Sequence, residues 1–239
     1  LPLSLIKWMF SKYPPLVVNP NLNSETVKFL YQMLKNCNSK SYEVNKSRMV
    51  RISNFSKKCL LELEKDEDIF YEQRKQGSLL LFKSAKQIEN IKKDLSLLEK
   101  LNIQHELLDL NGCIQAEPGL HHVKSEFTAG LRFANDCTGN CYLFTNQLYK
   151  KCLEMGVKFE FNTHIEDIQI KNERVSAIKT NRGEFVSDSY VVALGSYSSI
   201  ILTKVGVNIP VYPVKGYSIT LPVLNNEDAP QSTIIDDTF

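Results

Sequence analysis

The sequence predicts an α/β fold on three observations. Helical and extended apolar patterns alternate from Ser24 onward; short extended segments with a tight Asn-Arg-Gly turn follow residue 156; an unbroken apolar stretch then runs into Gly195. No internal repeat or low-complexity linker separates the chain into halves, so any second domain is interleaved with the first.

The elements follow in order. Val27, Leu30, Tyr31 and Leu34 recur at helical spacing behind Ser24, a suitable N-cap. A longer helix carries Met49, Ile52, Phe55, Cys59 and Leu63 on one stripe and ends in the charged turn 64–68; both stripes are expected to pack against the rest of the protein. Residues 76–82 read as a strand behind Gly77, and 84–101 as an amphipathic helix. Leu107 and Leu108 suggest a short strand, and 111–117 a helix stopped by Pro118-Gly119. The turn-rich stretch 130–141 reads as a loop leading into a helix over 142–155.

Strands are then expected at 157–161, 165–170 and 175–180, the last turning through Asn181-Arg-Gly183 into 184–186. A buried strand follows at 190–196, an extended strand or strand pair over 211–221, and one more strand over 232–235.

Bulk properties narrow the function classes. With 43% apolar and 23% charged residues the chain has the composition of a folded globular protein. Its 29 basic and 27 acidic residues are mixed along the sequence, which removes nucleic acid as a partner class. Six scattered cysteines show no disulfide rhythm and point to a reduced, cytoplasmic setting. Cys137 and Cys141 lie near His121 and His122, but no further ligand stands at a suitable spacing, so no metal site is assigned. No apolar run approaches the roughly 20 residues that cross a bilayer. The opening stretch is apolar but broken by Lys7, without an initiator Met or a signal-peptide cleavage site, and reads as the start of an interior piece of a longer protein.

Gly195 carries the first chemical suggestion. At the carboxyl end of a parallel strand the backbone can pass close to a nucleotide, and a residue without Cβ permits that approach. A helix, a strand, a meander and then a strand ending Val192-Ala-Leu-Gly195 is the order of flavoproteins with two dinucleotide-binding segments.

The resemblance becomes specific in seven stretches: Trp8-Met-Phe10, residues 42–51, Gln76-Gly-Ser-Leu, Ala116-Glu-Pro-Gly-Leu120, Asn135-Asp-Cys-Thr-Gly-Asn-Cys141, residues 191–198, and 211–220. In this order, across essentially the whole chain, they resemble the small subunit of bacterial D-amino-acid dehydrogenase, of the FAD-dependent D-amino-acid oxidase and dehydrogenase superfamily. The resemblance implies an incomplete FAD/NAD(P)-binding, glutathione-reductase-like domain over 1–70 and 140–203. Interleaved with it, over 71–139 and 204–239, is an α+β substrate domain with an antiparallel sheet.

The family's Gly-x-Gly-x-x-Gly turn, whose amides hold the FAD pyrophosphate, is not found, and a C-terminal part is expected to be missing as well. By resemblance, Ile165 meets the adenine, and Ala193, Leu194, Gly195 and Ser196 face the nucleotide. Lys215, Tyr217, Asp237, Thr238 and Phe239 stand on the substrate side. None of the six arginines is assigned as the clamp for the substrate carboxylate, and no catalytic residue is assigned.

The implied reaction is oxidative deamination of a D-amino acid such as D-alanine to a 2-oxo acid and ammonia, with electrons passed to a respiratory quinone. The implied location is cytoplasmic or peripheral on the inner face of the plasma membrane. Two alternatives stand beside it: an amine oxidase of the glycine or sarcosine oxidase type, and a non-catalytic scaffold half that works only with a complementing chain carrying the missing FAD-binding segments.

Overall fold

The structure is a computed structural model that describes residues 24–236. The described chain forms two compact units, one from residues 38–156 and 220–236, the other from 24–37 and 157–219. These divisions fall at other points than the resemblance implied. The segments 39–67 and 141–154, expected with the nucleotide domain, belong to the unit of the first sheet because Tyr71 ties them together there. Its hydroxyl donates to Glu64 and its ring meets Phe144 edge-on at 5.2 Å.

In the first unit, α2 (Ser39–Glu67) is followed by β1 (Ser78–Phe82), α3 (Ala85–Lys100), β2 (Glu106–Asp109), α4 (Leu110–Ala116), a 3-10 turn (Pro118–Val123), β3 (Ala129–Phe133), α5 (Cys141–Glu154) and β7 (Thr233–Asp236). Local signals explain the starts. Ser84 and Gln87 form a capping box for α3, Asp109 accepts from Gly112 N at 2.7 Å, and Asn140 caps α5.

The strands form one sheet in the order β2-β3-β1-β7, antiparallel except for the β1–β7 pair. β1 is buried on both faces. Leu79 and Leu81 pack with Cys113, Leu120 and Phe127 on one side, and Phe82 packs with Leu98, Ala129 and Leu131 under α3 on the other. That explains why β1 reads as an unalternated apolar run. Burial, with Asp109 nearby, pushes the Cys113 thiol up to about 11, so at neutral pH it is an uncharged packing group.

β3 corrects the expectation of a loop from residue 130. Its small residues have little strand preference alone, but they are what the packing admits. A Cβ at Gly130 would stand 2.8 Å from both Cys113 Sγ and Leu79 Cδ1.

β7 is delivered by a buried carboxylate. Glu117, 1% exposed, accepts from Gln231 N at 3.0 Å, Ser232 N at 2.8 Å and Ser232 Oγ at 2.7 Å. Gly119 abuts the carbonyl of Asp228, and His122 Nε2 lies 2.8 Å from the Asp228 carboxylate.

In the second unit, α1 (Ser24–Asn36) is joined by β4 (Ile165–Lys171), β5 (Arg174–Thr180), β6 (Gly183–Phe185), a 3-10 turn (Gly195–Tyr197) and α6 (Ser198–Thr203). The meander β4-β5-β6 is the expected one, and Asn172 and Glu173, both at positive φ, make its first turn.

Three expected strands are not strands. Residues 157–161, 190–196 and 211–221 run outside any sheet, because no described strand lies beside them to complete a ladder. Val191, expected buried, is 91% exposed. The apolar stripes of α1 and α2 also differ from expectation: Val27, Tyr31 and Leu34 on the first and Met49, Ile52 and Phe55 on the second face outward. Among the described helices none is long and apolar enough to cross a membrane.

Two substitutions test this packing. Gly130→Ala is expected to cost about 1–3 kcal/mol through overpacking against Cys113 and Leu79, read as a lower thermal midpoint. Glu117→Ala removes a buried acceptor shared by three partly buried donors and is expected to cost on the order of 3 kcal/mol. Amide exchange in β7 should accelerate before exchange in β3.

Candidate nucleotide-facing site

The second unit brings several of the expected residues to one place. β4 and β5 pair Ile168 with Ile178, and α6 covers that pair with Ile201. Segment 190–194 lies along them, pinned at both ends. The Tyr190 hydroxyl accepts from Ser187 N at 2.8 Å and donates to the Ser176 carbonyl at 3.2 Å, while Leu194 N donates to Ser198 Oγ at 3.1 Å. Lys204 Nζ, donating to the Glu166 carbonyl at 2.6 Å, fixes the end of α6 to β4.

Ile165 and Leu194 thereby line the same apolar cavity of about 90 Å³, with Val192, Tyr190 and Ile201. At its rim Gly195 has φ +57°, with nothing within 4 Å of where a Cβ would be. The glycine therefore serves the left-handed backbone that starts the 3-10 turn, and it leaves the space in front of the turn open. Ala193 is exposed beside it.

Ser196 faces a separate, open cleft of about 740 Å³ between α1 and residues 196–213. Its wall is organised by Tyr212, which stacks on Phe29 at 4.8 Å with 19° between ring planes and hydrogen-bonds Thr26 Oγ1 at 2.5 Å. Lys28, Ser199 and Asn208 add polar groups. Sequence reasoning passed over this cleft because Phe29 lies off the apolar stripe of its helix, and Tyr212 was read as part of a strand.

Lys215 and Tyr217 line neither cavity. Both are exposed, Tyr217 at 94%. Asp237, Thr238 and Phe239 lie outside the described residues. Among the described residues no group of three or more His, Cys, Asp or Glu is placed to hold a metal, and all six cysteines are free thiols.

Residues 22–238 match the family described as FAD dependent oxidoreductase, the DAO family. The chain belongs to that family. Over all 239 residues it is 43% identical to a D-amino acid dehydrogenase of Azorhizobium caulinodans and 44% identical to one of Vibrio atlanticus. It spans 57% of the length of each. Among solved structures, glycine oxidase from Geobacillus kaustophilus superposes with a TM-score of 0.61 over 85% of this chain and 52% of that one, at 17% identity. L-proline dehydrogenase from P. horikoshii gives 0.60 over 75% and 48%, at 19% identity. These two likenesses show a shared fold.

FAD is the cofactor of this family, and the residues present suit one end of it. Ile165 and Leu194 share one apolar wall, and the space in front of Gly195 is open. No three of the ten glycines have the Gly-x-Gly-x-x-Gly spacing that would cradle a diphosphate.

Because Gly195 is left-handed, Gly195→Ala is expected to destabilise the second unit by about 1–2 kcal/mol without any clash. Gly195→Asn should cost less. Thermal denaturation of the two variants reads the difference.

Proposed function

We propose that this chain provides the nucleoside-facing strip and a large share of the substrate side of an FAD-dependent D-amino-acid dehydrogenase. The observation that carries the reading is identity above 40% along the whole chain to D-amino acid dehydrogenases, within the FAD-dependent family. In the proposed reaction a D-amino acid such as D-alanine loses hydride from Cα and a proton from its amino nitrogen to become an imino acid, which water converts to the 2-oxo acid and ammonia. Bound FAD would supply the two-electron acceptor.

The chain's own residues orient and exclude. Ile165, Ala193, Leu194, Gly195 and Ser196 would hold the adenosine end, with Ile165 and Leu194 keeping water from the ring face and Gly195 leaving room for the approach. The nucleotide part over 1–70 and 140–203 and the substrate part over 71–139 and 204–239 that the resemblance implies are proposed as the functional division of the chain. Lys215, Tyr217, Asp237, Thr238 and Phe239 are proposed to reach the substrate. The proposed electron acceptor is a respiratory quinone, at the cytoplasmic side of the plasma membrane. A polypeptide with the family's diphosphate-binding turn is the proposed complement to this chain.

Reconstitution tests the reading. The chain alone is expected to purify without stoichiometric flavin. Fusion to the segments of the Vibrio atlanticus dehydrogenase beyond the matched region should raise the thermal midpoint and bring yellow colour, then D-alanine-dependent dye reduction. Peroxide production in place of dye reduction would instead favour an oxidase of the glycine oxidase type. A fusion that binds flavin but acts on no D-amino acid would remove the substrate assignment.

A further inference from the structure

Helix α2 is mounted with its apolar arc outward. The half-buried positions Lys46, Val50, Lys57, Leu60 and Glu64 recur at helical spacing and mark the face turned to its own unit. Three of them are held by polar contacts. Lys46 lies 3.5 Å from Asp94 of α3, Lys57 donates to the Asn135 carbonyl, and Glu64 binds both Tyr71 and, at 3.3 Å, Lys75.

On the other side Val44, Met49, Ile52 and Phe55 are 42–64% exposed. They follow one arc over three turns, about 16 Å at the helical rise. A surface helix ordinarily turns such a stripe to a core, and a contiguous exposed apolar patch marks a contact surface.

We infer that this face of α2 is a docking surface for polypeptide, and that its occupant is the portion of the family's length that these 239 residues do not span. The inference rests on the proposed function, and two observations select the occupant. The chain aligns from end to end with relatives of which it makes up 57%, so more than two fifths of their polypeptide lies outside the matched span. The described hydrogen bonds and ion pairs of Lys46, Lys57 and Glu64 hold α2 by its inward side, so the exposed apolar arc is the face with most to gain from burial against further chain.

Peroxide footprinting of the full chain tests this through Met49, 64% exposed, with Met155, 79% exposed, as the internal reference. Alone, the two should oxidise at rates within about threefold of each other. With a polypeptide carrying the segments of the Vibrio atlanticus dehydrogenase outside its match, Met49 should slow by roughly tenfold or more while Met155 does not change. Ile52→Ser with Phe55→Ser should abolish that protection and leave the melting profile of the chain in place.

Protection of Met49 that appears only with anionic vesicles would make the face a lipid contact, and protection that rises with the chain's own concentration would make it a self-association surface; either overturns the inference. So does a Met49 that stays reactive beside a bound complementing polypeptide. The readout needs no turnover, so failure to oxidise D-alanine and failure to protect Met49 are separate results.

Discussion

The double burial of β1 is the constraint on which the first unit depends. Its backbone is paired on both edges, antiparallel to β3 and parallel to β7, and its side chains are covered on both faces. A strand so placed has no solvent side on which to put a polar residue, and it accepts neighbours only in one register. Small residues in β3 follow from this. Where Leu79 and Cys113 converge, the strand opposite has room for a hydrogen and no methyl group, and Gly130 fills that place.

The same constraint makes Glu117 intelligible. β7 lies about a hundred residues downstream of β3, and a parallel edge strand must be brought back over that separation at an entropic cost. A carboxylate buried at the start of the 3-10 turn, accepting from three donors of residues 231 and 232, fixes the arrival point of β7. Burying a charge is costly unless it is fully bonded, and here it is bonded to main-chain donors as well as a hydroxyl. The Ala-Glu-Pro-Gly stretch, legible in sequence as a helix stop and a point of resemblance, thus has a mechanical role as well.

The second unit has a different logic. A short meander supplies a rigid edge, and a few local bonds hold segment 190–197 against it: the Tyr190 hydroxyl at one end and Ser198 Oγ at the other. This brings Ile165 and Leu194 to one cavity although they are far apart in sequence. The chemistry of the strip is that of surface and space: apolar walls, an open glycine and few charges. In the proposed function such a strip would hold the nucleoside end of a dinucleotide, and a cofactor that carries its own reactivity would ask no more of it.

The sequence alone determined the meander with its turn, the helices expected over 84–101 and 142–155, the strand behind Gly77 and the family, because each is written in contiguous residues whose spacing or turn chemistry is local. Tertiary structure decided the rest. β3 became a strand because two neighbours pair with it, against its own weak preference. Residues 190–196 did not, because a strand is a property of the pair and no described strand lies beside them. The stripes on α1 and α2 were legible as apolar but not as outward, since periodicity tells which residues share a face and only packing tells what that face meets. The cleft at Phe29 and Tyr212 depended on two aromatic rings more than 180 residues apart, a proximity that no local pattern encodes.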